Sequence, residues 1–82
     1  MEATRLDREV KTKAELCSLC NLLQQMLSQL ESGQCLVVTT PQDERWITNL
    51  HMVVAFYQDH WDTFNKGGEI QVVIRVGEPQ LV

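Results

Sequence analysis

Arg45–Lys66, RWITNLHMVVAFYQDHWDTFNK, is the stretch on which the reading of this chain turns. It holds both tryptophans, both phenylalanines, the one tyrosine and both histidines. Placed on a helix at ~100° per residue, Trp46, Ile47, Leu50, Val53, Val54, Tyr57, Trp61 and Phe64 fall within about a hundred degrees, a broad core-facing stripe. Thr40-Pro41-Gln42-Asp43 just upstream has the chemistry of a helix start: a hydroxyl cap, proline at the first position and an acid at the third. Asn65-Lys66-Gly67-Gly68 supplies the stop. The expectation is one helix over about 42–66.

Outward from there, Gln34–Thr40 (QCLVVTT) is β-branched and apolar on both alternations and reads as a strand over about 34–40. Glu69–Val76 (EIQVVIRV) alternates, with Ile70, Val72, Ile74 and Val76 on one face and Gln71, Val73 and Arg75 on the other, a second strand. Residues from about 5 to 31 lack proline and glycine and read as a long first helix, closed by Ser32-Gly33 with Gly33 as the left-handed cap. Its apolar positions form two arcs. Leu16, Leu19, Cys20, Leu23, Met26, Leu27 and Leu30 lie on one side; Leu6, Val10, Ala14 and Cys17 lie about a third of a turn away. Two arcs imply two different neighbours or a supercoiling seam, and only the C-terminal half keeps a heptad pattern free of Glu9 and Lys13.

The fold class expected is α+β: one α-β-α-β domain over residues 1–82, two long helices on a two-stranded sheet, with a short C-terminal tail. Lengths resist it. A helix over 41–66 is almost 40 Å long at ~1.5 Å per residue, against little more than 20 Å for the first strand at ~3.3 Å per residue. Either the helix starts later, near Arg45, or the strands also pair with another chain. A two-stranded sheet is marginal alone, so a homodimer that extends the sheet or shares the helices is expected.

Bulk properties narrow the function. The chain has 82 residues, 44% hydrophobic and 22% charged, with net charge −4. That is a globular composition with no basic excess, which argues against nucleic-acid binding. Arg5, Arg8, Lys11 and Lys13 do cluster, but Asp7, Glu9 and Glu15 are interleaved with them, as on a solvated face. No apolar run approaches the ~20 residues of a membrane helix. Three cysteines and no secretory leader point to reduced thiols and a cytoplasmic protein.

No catalytic constellation stands out. Cys17-Ser18-Leu19-Cys20 is a C-x-x-C in mid-helix among leucines, where a redox pair lacks the helix N-terminus that lowers a thiol pKa. A metal site there would need His51 or His60 as further ligands. Asp59-His60-Trp61-Asp62 looks catalytic in line, yet neighbours on a helix point apart. No cofactor or metal is expected. Met52 and Phe56 lie i, i+4 outside the main stripe. Either the first helix packs on them, or with His60 they form a contact patch for a second chain. Leu19, Leu23 and Met26 are the matching candidates on the first helix. The apolar C-terminus Gln80-Leu81-Val82 reads as a frayed tail, with strand addition to a peptide groove as the minor reading.

The functional expectation is a non-enzymatic interaction or regulatory module, a small acidic protein that associates with itself and with another protein through apolar helix surface and sheet edge. The alternative is a metal- or ligand-binding regulatory domain using Cys17 and Cys20 with His51 or His60. The negative charge also suits an inhibitor of a basic site.

Overall fold

A computed structural model of the chain describes residues 5–78. The order is β1 (Arg5–Val10), α1 (Lys13–Ser28), β2 (Cys35–Thr39), β3 (Glu44–Ile47), α2 (Leu50–Asn65) and β4 (Ile70–Gly77). The class is α+β, with two helices and a four-stranded sheet in the order β1-β4-β2-β3. Every neighbouring pair is antiparallel. β1 and β2 both run antiparallel to β4, so α1 connects two parallel strands with β4 between them. In the same way α2 connects β3 and β4 across β2. Both helices lie on one face, where Val10, Leu36, Val38, Ile47, Ile70, Val72 and Ile74 meet Leu16, Leu19, Leu23, Val53, Phe56 and Phe64 in one core.

The expected two-stranded sheet is thus corrected to four strands, because each of the two long helices gives up its first part to a strand. Residues 5–10 pair with β4 in the register Leu6↔Ile74, Arg8↔Val72, Val10↔Ile70. Leu6 and Val10 therefore share the helix-covered face, and the second apolar arc dissolves. The helix begins only at Thr12, whose Oγ1 accepts from the Glu15 backbone N–H at 3.1 Å. Glu15 Oε1 in turn accepts from the Lys11 backbone N–H at 3.1 Å and from the Thr12 hydroxyl at 3.3 Å. This is a capping box displaced by one residue on its return bond. A strand ends here because a Thr-x-x-Glu pair satisfies the orphan donors of a helix.

The second long helix is interrupted in the same manner. Thr40–Asp43 makes the β2–β3 turn: the Thr40 N–H donates to the Asp43 carbonyl at 2.8 Å. The Thr40 hydroxyl accepts from the Gln42 and Asp43 N–H groups at 3.3 and 3.2 Å and donates to Asp43 Oδ1 at 3.1 Å. The hydroxyl caps nearby N–H groups as it would at a helix start, but the chain turns back into β3. Asn49 is the true cap of α2, its Oδ1 accepting from the Met52 N–H at 3.1 Å. At 16 residues, α2 is about 24 Å long at ~1.5 Å per residue, and the mismatch with β2 disappears. A later helix start and a fuller sheet are both present, and the extra strands come from the same chain.

The stops differ from each other. At α2, Gly67 takes φ +78° and donates to the Phe64 carbonyl at 3.1 Å, while Gly68 donates to the Thr63 carbonyl at 2.7 Å, the two bonds of a Schellman ending. α1 already stops at Ser28 with Gln29 as its cap. Gly33 is left-handed, φ +85°, but one turn later, in a tight turn closed by Gln34 N–H to the Glu31 carbonyl at 3.0 Å. A positive φ at the third residue is what a type II turn demands. The expected C-terminal tail at 80–82 lies outside the described residues.

Candidate functional site

Three surfaces are candidates for chemistry or contact. The first is the open face of the sheet. Cys35 and Val37 point away from the helices yet are buried, and Val37 has Arg75 and Trp46 directly across from it on the flanking strands. Glu44 ties this cover down: its carboxylate accepts from Trp46 Nε1 at 3.3 Å and meets Arg75 at 3.6 Å. Burial pushes the Cys35 thiol pKa up, with nearby Arg75 working the other way. The outer rows are mixed in sign, with Arg5–Asp7 and Lys11–Glu9 pairs; hydrogen bonding to Lys11 draws the Glu9 carboxyl below its usual range. Alternating charge of this kind gives no basic stripe for a phosphate backbone. It also guards the β1 edge against strand addition, while β3, at four residues, offers little edge to pair with.

The second is the C-x-x-C. Cys17 is exposed and Cys20 buried. Burial, then the neighbouring Cys17 sulfur, push the Cys20 thiol up to about 11, away from the thiolate that redox or metal chemistry needs. Cys17 Sγ lies 3.6 Å from the Tyr57 hydroxyl, and that contact raises the phenol pKa. His60 does not join them as a ligand: it is buried against Phe56, ring centroids 4.3 Å apart, with Nδ1 2.9 Å from the Phe56 carbonyl oxygen. His51 is exposed at the start of α2, while Cys17 meets Tyr57 nearly two turns further on. Among the described residues no group of three or more His, Cys, Asp or Glu side chains is placed to hold a metal ion. The site built from Cys17, Cys20 and either histidine is therefore not assembled.

The third is the helical layer. Of the residues singled out for contact, Leu19, Leu23 and Phe56 are fully enclosed in the core, His60 is buried, and Met26 is half-buried against it. Phe56 packs beneath α1 and β3, where Arg45 spans its ring at 5.6 Å. Arg45 also binds Asp59 at 2.8 Å and Asp43 at 3.3 Å. Burial disfavours this guanidinium charge, and the two carboxylates outweigh it, so its pKa is raised. Met52 stays 39% exposed, and its Sδ accepts from the Thr48 N–H at 3.2 Å, a local cap and no part of a patch with Phe56.

What remains outside is the other edge of the expected core stripe. Leu50 and Val54 are 55% and 49% exposed, although periodicity assigns both to the interior. The actual buried row is Val53, Phe56, His60 and Phe64. Once Trp46 and Ile47 belong to β3, the centre of the stripe rotates toward Phe56. Tyr57 and Trp61 are half-buried, their rings tilted against each other with centroids 5.1 Å apart, and Lys13 Nζ lies 4.6 Å from the Trp61 ring. Leu50, Val54, Tyr57 and Trp61 thus form an outer row along the seam with α1. At its N-terminal end the seam opens into a groove of about 610 Å³ lined by Gln24, Leu27, Ser28, Asn49, Leu50 and His51. The sequence signal that exposes this row is Asn49, a cap residue immediately before Leu50.

No protein-family model matches the chain, and searches of curated proteins and of solved structures find no significant match. Among the described residues no helix is long and apolar enough to cross a membrane.

Proposed function

We propose that this chain is a non-enzymatic protein–protein interaction module whose contact surface is the outer row of α2 together with the adjoining groove. One observation carries the reading: Leu50 and Val54, exposed by about half, continue into the half-buried Tyr57 and Trp61 at i, i+4, i+7, i+11. Single exposed apolar residues are ordinary on any surface. A row of four beside an apolar groove is a recognition surface of the helix-packing kind, with aromatic anchors at one end. Among the described residues the sheet has four strands, and its edges are charged or short, which favours contact through the helical layer over contact through the sheet edge. Burial raises the Cys20 thiol to about 11, and among the described residues no group of three or more His, Cys, Asp or Glu side chains is placed to hold a metal ion.

The test is a quantitative capture from cells of the natural host, comparing wild type with a Leu50→Glu/Val54→Glu variant whose circular dichroism and melting curve match it. Specifically bound proteins should fall at least ~tenfold, which corresponds to ~1.4 kcal/mol. Equal recovery by both baits, or no specific protein with either, overturns the proposal.

A further inference from the structure

The outer row of α2 has an order that says more than its apolarity. Leu50, Val54, Tyr57 and Trp61 are spaced four, three and four residues apart, a pattern identical from either end. Its N-terminal half is aliphatic and its C-terminal half aromatic. A two-fold axis across the helix, midway between Val54 and Tyr57, therefore sets Leu50 against Trp61 and Val54 against Tyr57, each pair occurring twice. Every small side chain meets a large one, the condition for interdigitation across an isologous contact.

The groove obeys the same symmetry. α1 runs antiparallel to α2: Lys13 lies on Trp61, Cys17 meets Tyr57, and Leu27 and Ser28 share the groove wall with Asn49–His51. Trp61 is therefore at one end of the seam and the groove at the other, and the axis exchanges the two ends. A groove of about 610 Å³ is roomy for an indole, since pockets for drug-sized ligands run ~300–1,000 Å³. Charge agrees. The outward flank of α2 is His51, Ala55, Gln58 and Asp62, and the axis carries Asp62 over the partner's Asn49–His51 end, so no carboxylate faces a carboxylate.

We infer, resting on the interaction reading above, that the helical layer binds a second copy of this chain in antiparallel register, each Trp61 seated in the groove beside the partner's Leu50. Two 16-residue helices side by side present a face of roughly 24 × 20 Å, about 500 Å² per chain. Standard interfaces bury ~800 Å² per partner, so the dimer is a weak one.

Sedimentation velocity under reducing conditions, from about 5 μM to 1 mM chain, tests it, with a Trp46→Phe background that leaves Trp61 as the sole indole. The expected result is a mass that doubles across this range while Trp61 emission moves to shorter wavelength. Leu50→Glu, at an exposed position that the fold tolerates, raises Kd at least ~tenfold and abolishes the emission change. A strict monomer throughout overturns the inference, as does a dimer that ignores Leu50→Glu or leaves Trp61 emission unchanged. If capture of other proteins still depends on Leu50 and Val54 while the chain stays monomeric, the second copy is excluded and the interaction reading stands.

Discussion

Replacing Thr12 by alanine asks directly whether the chain is helical from residue 5 or turns from strand to helix at residue 12. In the structure Thr12 Oγ1 accepts from the Glu15 N–H at 3.1 Å and donates to Glu15 Oε1 at 3.3 Å. Removing the hydroxyl leaves one first-turn N–H without its side-chain acceptor and takes from the Glu15 carboxylate one of its two donors, the Lys11 N–H remaining. N-cap Thr→Ala changes cost ~0.5–2 kcal/mol, typically ~1. Were residues 5–31 one helix, Thr12 would be an interior position, and alanine would gain up to ~0.7 kcal/mol from its higher propensity. The two arrangements thus differ in sign. A domain of 82 residues has ~4–12 kcal/mol of stability in total, so a loss of ~1 kcal/mol is readily measured. It lowers Tm by ~4–8 °C and shifts the urea midpoint with an unchanged slope. Equilibrium urea unfolding followed by circular dichroism, wild type against Thr12→Ala, is the assay. Glu15→Ala should destabilise in the same direction, and the double variant should cost less than the sum, since both singles break one unit. A neutral or stabilising Thr12→Ala refutes the strand-to-helix boundary.

The packing and one buried thiol set three further outcomes. Phe56→Ala should cost ~3–5 kcal/mol by opening a cavity in the core, close to unfolding the domain, whereas Met52→Ala, at a 39% exposed site, should stay within ~1 kcal/mol; thermal melts of the two singles separate a core role from a surface one. Gly68→Ala places a Cβ 2.7 Å from Thr63 Cγ2 and 2.9 Å from its carbonyl oxygen, so the ending of α2 must shift, and a loss of at least ~1 kcal/mol is expected by urea unfolding. The third concerns pH. Because burial raises the Cys20 thiol from 9.0 to about 11, its contribution to stability is fully present below about pH 9 and is lost as pH climbs toward about 11, where the unfolded chain has already released the proton. With allowance for residual solvent screening the fall is roughly 1–2 kcal/mol. Stability measured from pH 8 to about 11 should decline less steeply in Cys20→Ala, and an identical slope in both proteins would contradict the assignment.

Much of the architecture is legible in the residues, and the failures share one cause. The alternation of Ile70, Val72 and Ile74 in β4 reports burial on one face directly, and Gly67-Gly68 marks the end of α2 because the left-handed backbone at Gly67 suits glycine. Residues 5–10 and 44–47 read as the first turns of helices because RLDREV and ERWI are short and charged, and no proline or glycine separates them from the helical segments after them. Both are edge strands, and edge strands are charged for good physical reason. Thr12 with Glu15, and Asn49 before Leu50, carry the boundary chemistry within the sequence. Thr40 carries the same chemistry but uses it for a turn, since a threonine hydroxyl caps any run of nearby N–H groups, helical or not. The length mismatch between a helix over 41–66 and the first strand is the clearest sign of a missing strand. Assigning the sheet's completion to a second chain overlooks that charged segments of the same chain can supply it.

The candidate surface is less legible than the fold, because a register error on a helix exchanges core and surface. Counting Trp46 and Ile47 as helical draws Leu50 and Val54 inward and pushes Phe56 outward. The structure reverses both: Phe56 is enclosed, and Leu50 and Val54 stand in water. Thiols and histidines lose their appeal for a different reason. Spacing in the chain says nothing of whether a third ligand arrives, and here His60 turns into the core while His51 lies at the far end of α2.

The claim that the outer row of α2 binds a second copy of the chain is tested most directly by methyl NMR of selectively labelled leucine and valine, recorded from about 20 μM to 1 mM chain. The Leu50 and Val54 methyl resonances should move with concentration along saturating curves, while those of Val37 and Val73 on the open sheet face stay fixed. Movement confined to the sheet-face methyls, or no movement at Leu50 and Val54, would contradict it.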